Sequence, residues 1–184
     1  MVPNNRIAAR GAVSLLVSRR PGEGSHRLRE WWPGLGDVAG RRCRAAAAAD
    51  GTVVLLSEES GRLTRFGLEG ETLWSWGGDG ELAGPRGLAL AADGSAVVAD
   101  TRNGRIVTVR PDGGVEAVRV PASAFGHGAN APRLARPCAV AVEADGALAV
   151  ADDTRFGGIA RLAADGTPLG PVGRNGSGRG PGTA

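Results

Sequence analysis

The chain has 184 residues, 31 of them Gly and 11 Pro, a density of backbone breakers that shortens every regular element and excludes a bundle of long helices. Its 22 basic residues are all Arg and it has no Tyr, which excludes a Walker-type phosphate lysine, a Schiff-base lysine and a tyrosine acid or base. The net charge of +3 is uneven: residues 1–44 carry nine Arg against three acids, and residues 45–184 carry thirteen against sixteen.

Residues 1–40 form a basic N-terminal segment in which 11–18 and 26–32 read as strands. Arg41, Arg42 and Arg44 close it and are candidates for phosphate or acidic partners. The apolar run from Ala12 to Val17 is too short for a secretory core of about 7 residues or a membrane helix of about 20. A cytoplasmic protein with no membrane partner is therefore expected. Cys43 and Cys138 are the only cysteines and form no CxxC pair, so neither a zinc ribbon nor a disulfide framework is indicated.

From residue 41 to residue 174 the chain matches itself three times. The first copy runs from Cys43 through Asp50-Gly51 and Val53-Val54-Leu55-Leu56-Ser57 to Glu69-Gly70. The second runs from Pro85 through Asp93-Gly94 and Val97-Val98-Ala99-Asp100 to Asp112-Gly113. The third runs from Pro137 through Asp145-Gly146 and Ala149-Val150-Ala151-Asp152 to Asp165-Gly166. The two acid-Gly pairs of each copy lie 19, 19 and 20 residues apart. Each copy reads as four short strands, in the second 87–91, 95–99, 105–110 and 115–120. The Asp-Gly and Asn-Gly corners predict type I′ hairpin turns and hence antiparallel neighbours. Units of this length with four strands each point to an all-β protein, a β-propeller of four-stranded antiparallel blades. Ala89, Ala91, Ala139 and Ala141 suit innermost strands, where blades converge. Trp74 and Trp76 alternate on an outer strand, so both rings face one side, toward the next blade. Asp100 and Asp152 are expected to accept from backbone N–H groups at the turns that follow.

Pro85 to Ile106 carries Pro-x-Gly, Asp93-Gly94, Val98-Ala99-Asp100-Thr101 and Asn103-Gly104-Arg105-Ile106. In this motif the sequence resembles the NHL repeat family. The first copy departs from it at Arg42 and at Ser57-Glu58, and the third lacks the Arg before Ile159. Gly126 to Leu134 resembles the Gly-rich connector between blades of bacterial members. The division expected is 1–40, a basic segment or degenerate blade; 41–174, NHL-like blades; and 175–184, a Gly-rich tail or truncated connector. Three clear blades imply an incomplete or open ring whose faces and edges invite a protein partner or self-association.

The position after the blade's Pro, for which the first copy has Arg42, is expected at the mouth of the channel and is Cys43, Arg86 or Cys138, the candidate ligand-binding set. NHL-like lyases place zinc-ligating His at similar positions, whereas His26 and His127 fall outside the repeat cores here. No metal, cofactor or catalytic residue is assigned. The resemblance implies a non-catalytic scaffold that binds a protein or small ligand. Two alternatives stay open: nucleic-acid binding through Arg86, Arg133 and Arg136 with Arg41, Arg42 and Arg44, and a metal-dependent lyase or hydrolase.

Overall fold

The computed structural model describes residues 42–119, 135–154 and 158–172. The expected strands at 11–18 and 26–32, the connector at 126–134, the tail at 175–184, and Arg41, Arg133, His26 and His127 lie outside these residues.

The acid-Gly corners close six alike hairpins. At Asp93-Gly94, the carbonyl of Ala91 accepts from the N–H of Gly94 at 2.9 Å, and the N–H of Ala91 donates to the carbonyl of Ser95 at 2.9 Å. Gly94 has φ +83°, and Asp93 is not in the left-handed region. This is a type I turn ended by a glycine bulge, which corrects the type I′ expectation. The reason is the side chain: the Asp93 carboxylate accepts from the N–H of Ser95 at 2.9 Å, an Asx geometry that leaves the left-handed step to glycine alone. The same backbone pattern recurs at Gly51, Gly70, Gly113, Gly146 and Gly166. Asp50, Asp112, Asp145 and Asp165 each accept from the N–H two residues on.

These bonds set a pH dependence. The carboxyl of Asp50 is held below its usual value by the Thr52 hydroxyl and N–H, that of Asp93 by Ser95, that of Asp112 by the Gly114 N–H and that of Asp165 by Thr167. A depressed folded value means the stabilisation is complete above the unfolded value of about 3.9 and is lost as pH falls through the folded ones. The midpoint of thermal unfolding is expected to fall below about pH 4; a midpoint that rises there contradicts this role.

Among the described residues, twelve strands lie between the corners: β1 (Cys43–Ala47), β2 (Val53–Ser57), β3 (Arg62–Phe66), β4 (Thr72–Gly77), β5 (Gly87–Leu90), β6 (Ala96–Asp100), β7 (Arg105–Val109), β8 (Val115–Arg119), β9 (Pro137–Val142), β10 (Leu148–Asp152), β11 (Ile159–Leu162) and β12 (Pro168–Val172). They form three sheets, β1 to β4, β5 to β8 and β9 to β12, each with neighbours in chain order. All nine pairings are antiparallel. The described residues contain no helix, and no helix long and apolar enough to cross a membrane.

Strand alternation makes every sheet two-faced, and the middle sheet buries both faces. Ala96, Val98, Val107 and Val109 pack on Val54, Leu56 and Leu63 of the first sheet. Val97, Ala99 and Ile106 pack on Leu148, Val150, Ala160 and Leu162 of the third. The first strands run beside one another, β1 near β5 and β5 near β9. Gly87 shows how close they come: a Cβ there would stand 2.9 Å from the Cα of Ala139 and 3.0 Å from the N of Val140. The small side chains of the first strands thus serve convergence. Trp74 and Trp76 point to the second blade as expected, half-buried against its apolar face. The indole N–H of Trp74 donates to the carbonyl of Pro111 at 2.9 Å.

Candidate functional site

One end of the blades gathers the loops that join sheet to sheet and the turns between second and third strands. Buried carboxylates tie these two kinds of loop together. Asp100 is fully buried and accepts from the N–H of Ala83 at 2.8 Å, the side-chain amide of Asn103 at 2.9 Å and Nε of Arg105 at 2.7 Å. Asp152 accepts from the N–H groups of Arg136 at 2.7 Å and Thr154 at 2.8 Å. The bond from Thr154 is the one expected, at the turn that follows. The bonds from Ala83 and Arg136 come instead from the loop entering the blade. Each acid therefore fastens an incoming connector to its own blade.

The channel-mouth candidates fall at this same end. Cys43 opens β1 and is exposed, Arg86 precedes β5, and Cys138 is the second residue of β9. Asp153 draws two arginines from neighbouring blades together, through an ion pair with Arg86 and a contact of 3.2 Å with Nε of Arg136. Nε of Arg44 donates to the carbonyl of Arg86 at 3.2 Å, and Arg42 pairs with Glu58 at 3.4 Å. Of the proposed phosphate contacts, Arg42 and Arg136 thus already face carboxylates, while Arg44 meets only a carbonyl.

Partial burial pushes the Cys138 thiol up, and the nearby Asp153 carboxylate adds to this, with Arg86 acting in the opposite direction. The thiolate is the reactive form. Cys43 is therefore expected to alkylate several-fold faster than Cys138 with iodoacetamide near neutral pH; equal rates in a mass-spectrometric time course would contradict the arrangement. Among the described residues, no group of three or more His, Cys, Asp or Glu converges as a metal site would require.

Two shallow clefts flank the connector between the first and second blades. One, of about 370 Å³, is lined by Arg42, Glu58, Glu59, Ser60, Leu82, Gly84 and Arg102, with Gly61 and Gly80. The other, of about 470 Å³, is lined by Trp76, Glu81, Asn103 and Arg105, again with Gly80. Gly80 is the wall they share. It ends a run at 77–80 in which every φ is left-handed, Asp79 included at 49°. Asp79 is the one non-glycine residue there among the described residues, and such held strain clusters at functional loops. Arg102 is exposed, and its guanidinium makes no hydrogen bond among the described residues. The sequence reading passed over Arg102 and this connector, and assigned Trp76 to packing on the next blade. The Gly77-Gly78-Asp79-Gly80 string was the signal available.

A family model described as NHL repeat matches residues 82–108. No curated protein sequence matches significantly. Solved structures share the fold. Virginiamycin B lyase from Staphylococcus aureus is similar with a TM-score of 0.55 at 16% identity, over 68% of this chain and 39% of that one. The hydrazine synthase of Kuenenia stuttgartiensis gives 0.52 at 13%, over 70% and 33%, and a structure of the nidogen/laminin complex 0.50 at 21%, over 67% and 44%. The chain thus spans less than half the length of each. The matched repeat lies inside the middle blade, and with a like four-stranded sheet on either side the described residues have the fold of consecutive β-propeller blades.

Proposed function

We propose that this protein is a binding scaffold that holds an extended polypeptide across the two clefts along the connector. The observation that carries the reading is that two neighbouring clefts share Gly80 as a wall and are lined by side chains of both charges. Arg102 offers a guanidinium with no hydrogen-bond partner among the described residues, and half-buried Trp76 offers a flat apolar surface. Arginine and tryptophan are the residue types that most often dominate binding energy. Open, polar, shallow surfaces suit a chain that lies along them better than a small molecule that needs enclosure. Elsewhere on this end, the repeated carboxylates Asp100 and Asp152 are engaged with backbone N–H groups. The two unpaired thiols fit a reducing, cytoplasmic setting.

The test is an array of ten-residue peptides of varied charge and aromatic content, probed with the full chain. Capture of a subset is expected, with at least tenfold weaker binding by Arg102→Glu and by Trp76→Ala, as for residues at the centre of an interface. Binding unaffected by both substitutions would overturn the reading. So would stoichiometric metal with turnover, or preferred binding of single-stranded oligonucleotides that collapses with salt.

A further inference from the structure

The described residues hold six Asp-Gly pairs, five at the hairpin corners and one at Asp79-Gly80 in the connector, and one Asn-Gly pair at Asn103-Gly104. Such pairs share one chemistry: the glycine nitrogen can attack the side-chain carbonyl before it, because glycine has no Cβ to block the approach. At the corners both reacting groups are engaged. The N–H groups of Gly51, Gly94, Gly113, Gly146 and Gly166 donate to the carbonyl three residues back at 2.8 to 3.0 Å. Each corner Asp carboxylate accepts from the N–H two residues on. Asn103 is held as well: its amide donates to Asp100 at 2.9 Å, and the Gly104 N–H donates to the Thr101 carbonyl at 3.3 Å.

Asp79-Gly80 differs at each of these points. Its φ angles are +49° and +88°, and the Glu81 N–H donates to the Gly78 carbonyl at 2.9 Å, the pattern of a type I′ turn. There the glycine N–H takes no part in the bond that closes the turn, whereas at the corners it is that bond. Asp79 and Gly80 are exposed. Among the described residues the Gly80 N–H donates no hydrogen bond and the Asp79 carboxylate accepts none. Nothing stands within 4 Å of the place a Cβ on Gly80 would take. We propose that Asp79-Gly80 isomerises spontaneously to isoaspartate, ahead of the other Asp-Gly and Asn-Gly pairs of the described residues. The Gly80 nitrogen attacks Cγ of the protonated Asp79 carboxyl and gives up its proton, the carboxyl hydroxyl leaves as water, and a cyclic succinimide forms. Water then adds to one ring carbonyl, and the C–N bond there breaks. Opening at the original main-chain carbonyl leaves Gly80 attached through Cγ and frees the α-carboxylate. One water is lost and one regained, so solvent is the only co-reactant. The product lengthens the main chain by one carbon at the wall that the two clefts share.

The test holds the full chain for weeks in mildly acidic solution, then digests it and maps it by electron-transfer fragmentation, which separates isoaspartate from aspartate at each position. At the other pairs the bonds to the side chain and from the glycine N–H must break before reaction. Residue 79 should therefore accumulate isoaspartate at least about tenfold faster than they do. In denaturant, where those bonds are gone, the six Asp-Gly pairs should react at similar rates. Asp79→Asn, from which ammonia leaves in place of water, gives a second readout in the folded chain at neutral pH. Its residue 79 should lose the amide at least about tenfold faster than Asn103. Isoaspartate that appears first at a corner, a spread of rates that survives in denaturant, or earlier loss of the Asn103 amide in Asp79→Asn would overturn the proposal.

Discussion

Asp100→Ala is expected to destabilise the protein by about 3–5 kcal/mol, the usual cost of removing one partner of a buried, hydrogen-bonded ion pair. Three donors would lose their acceptor at once: the N–H of Ala83, the amide of Asn103 and Nε of Arg105. At about 2–4 °C per kcal/mol for a chain of this size, the unfolding midpoint should drop by roughly 6–20 °C. Asp100→Asn keeps an acceptor for Ala83 but meets Arg105 without a charge, so a smaller loss is expected. Because Ala83 belongs to the connector that walls both clefts, the alanine variant should also weaken peptide capture. A loss under about 1 kcal/mol, the worth of an ordinary exposed pair, would mean that the connector is anchored elsewhere.

The second large effect separates two isoleucines that differ in their cover. Ile106→Ala should cost about 2–5 kcal/mol, the range for a core truncation that leaves a cavity, because Ile106 is fully buried between the second and third blades. Ile159→Ala, at the matching place in β11 and 45% exposed, should cost well under half as much, because less area is removed from water. Paired denaturant titrations give both values. Equal losses would show that stacking of blade on blade does not account for the burial of Ile106.

Much of the fold is legible in local sequence, because hairpin corners and strand alternation act over a few residues. The expected strands 87–91, 95–99, 105–110 and 115–120 differ from β5 to β8 by a residue at several ends. Trp74 and Trp76 share a face because their spacing in a strand requires it. The turn type was illegible: Asp-Gly suits either a type I′ turn or a type I turn with a glycine bulge, and the carboxylate bond to the second following N–H selects the latter. Contacts between blades were harder still. The grip of Arg65 on the Gly94 carbonyl spans 29 residues, and that of Ala83 on Asp100 spans 17. No periodicity within a blade encodes such distances. The candidate site suffered most. Cys43, Arg86 and Cys138 lie where the repeat put them, but the cleft beside Arg102 arises from a connector whose left-handed path departs from every copy of the repeat.

The central claim is that the middle sheet is a wedge with a different neighbour on each face. Methyl NOEs on a selectively labelled sample test it directly. Val97 and Ile106 should show cross-peaks to Leu148, Val150 and Leu162, and Val98 and Val107 should show them to Val54, Leu56 and Leu63, with no exchange between the sets. Cross-peaks from both faces to one sheet, or none to either, would contradict the account.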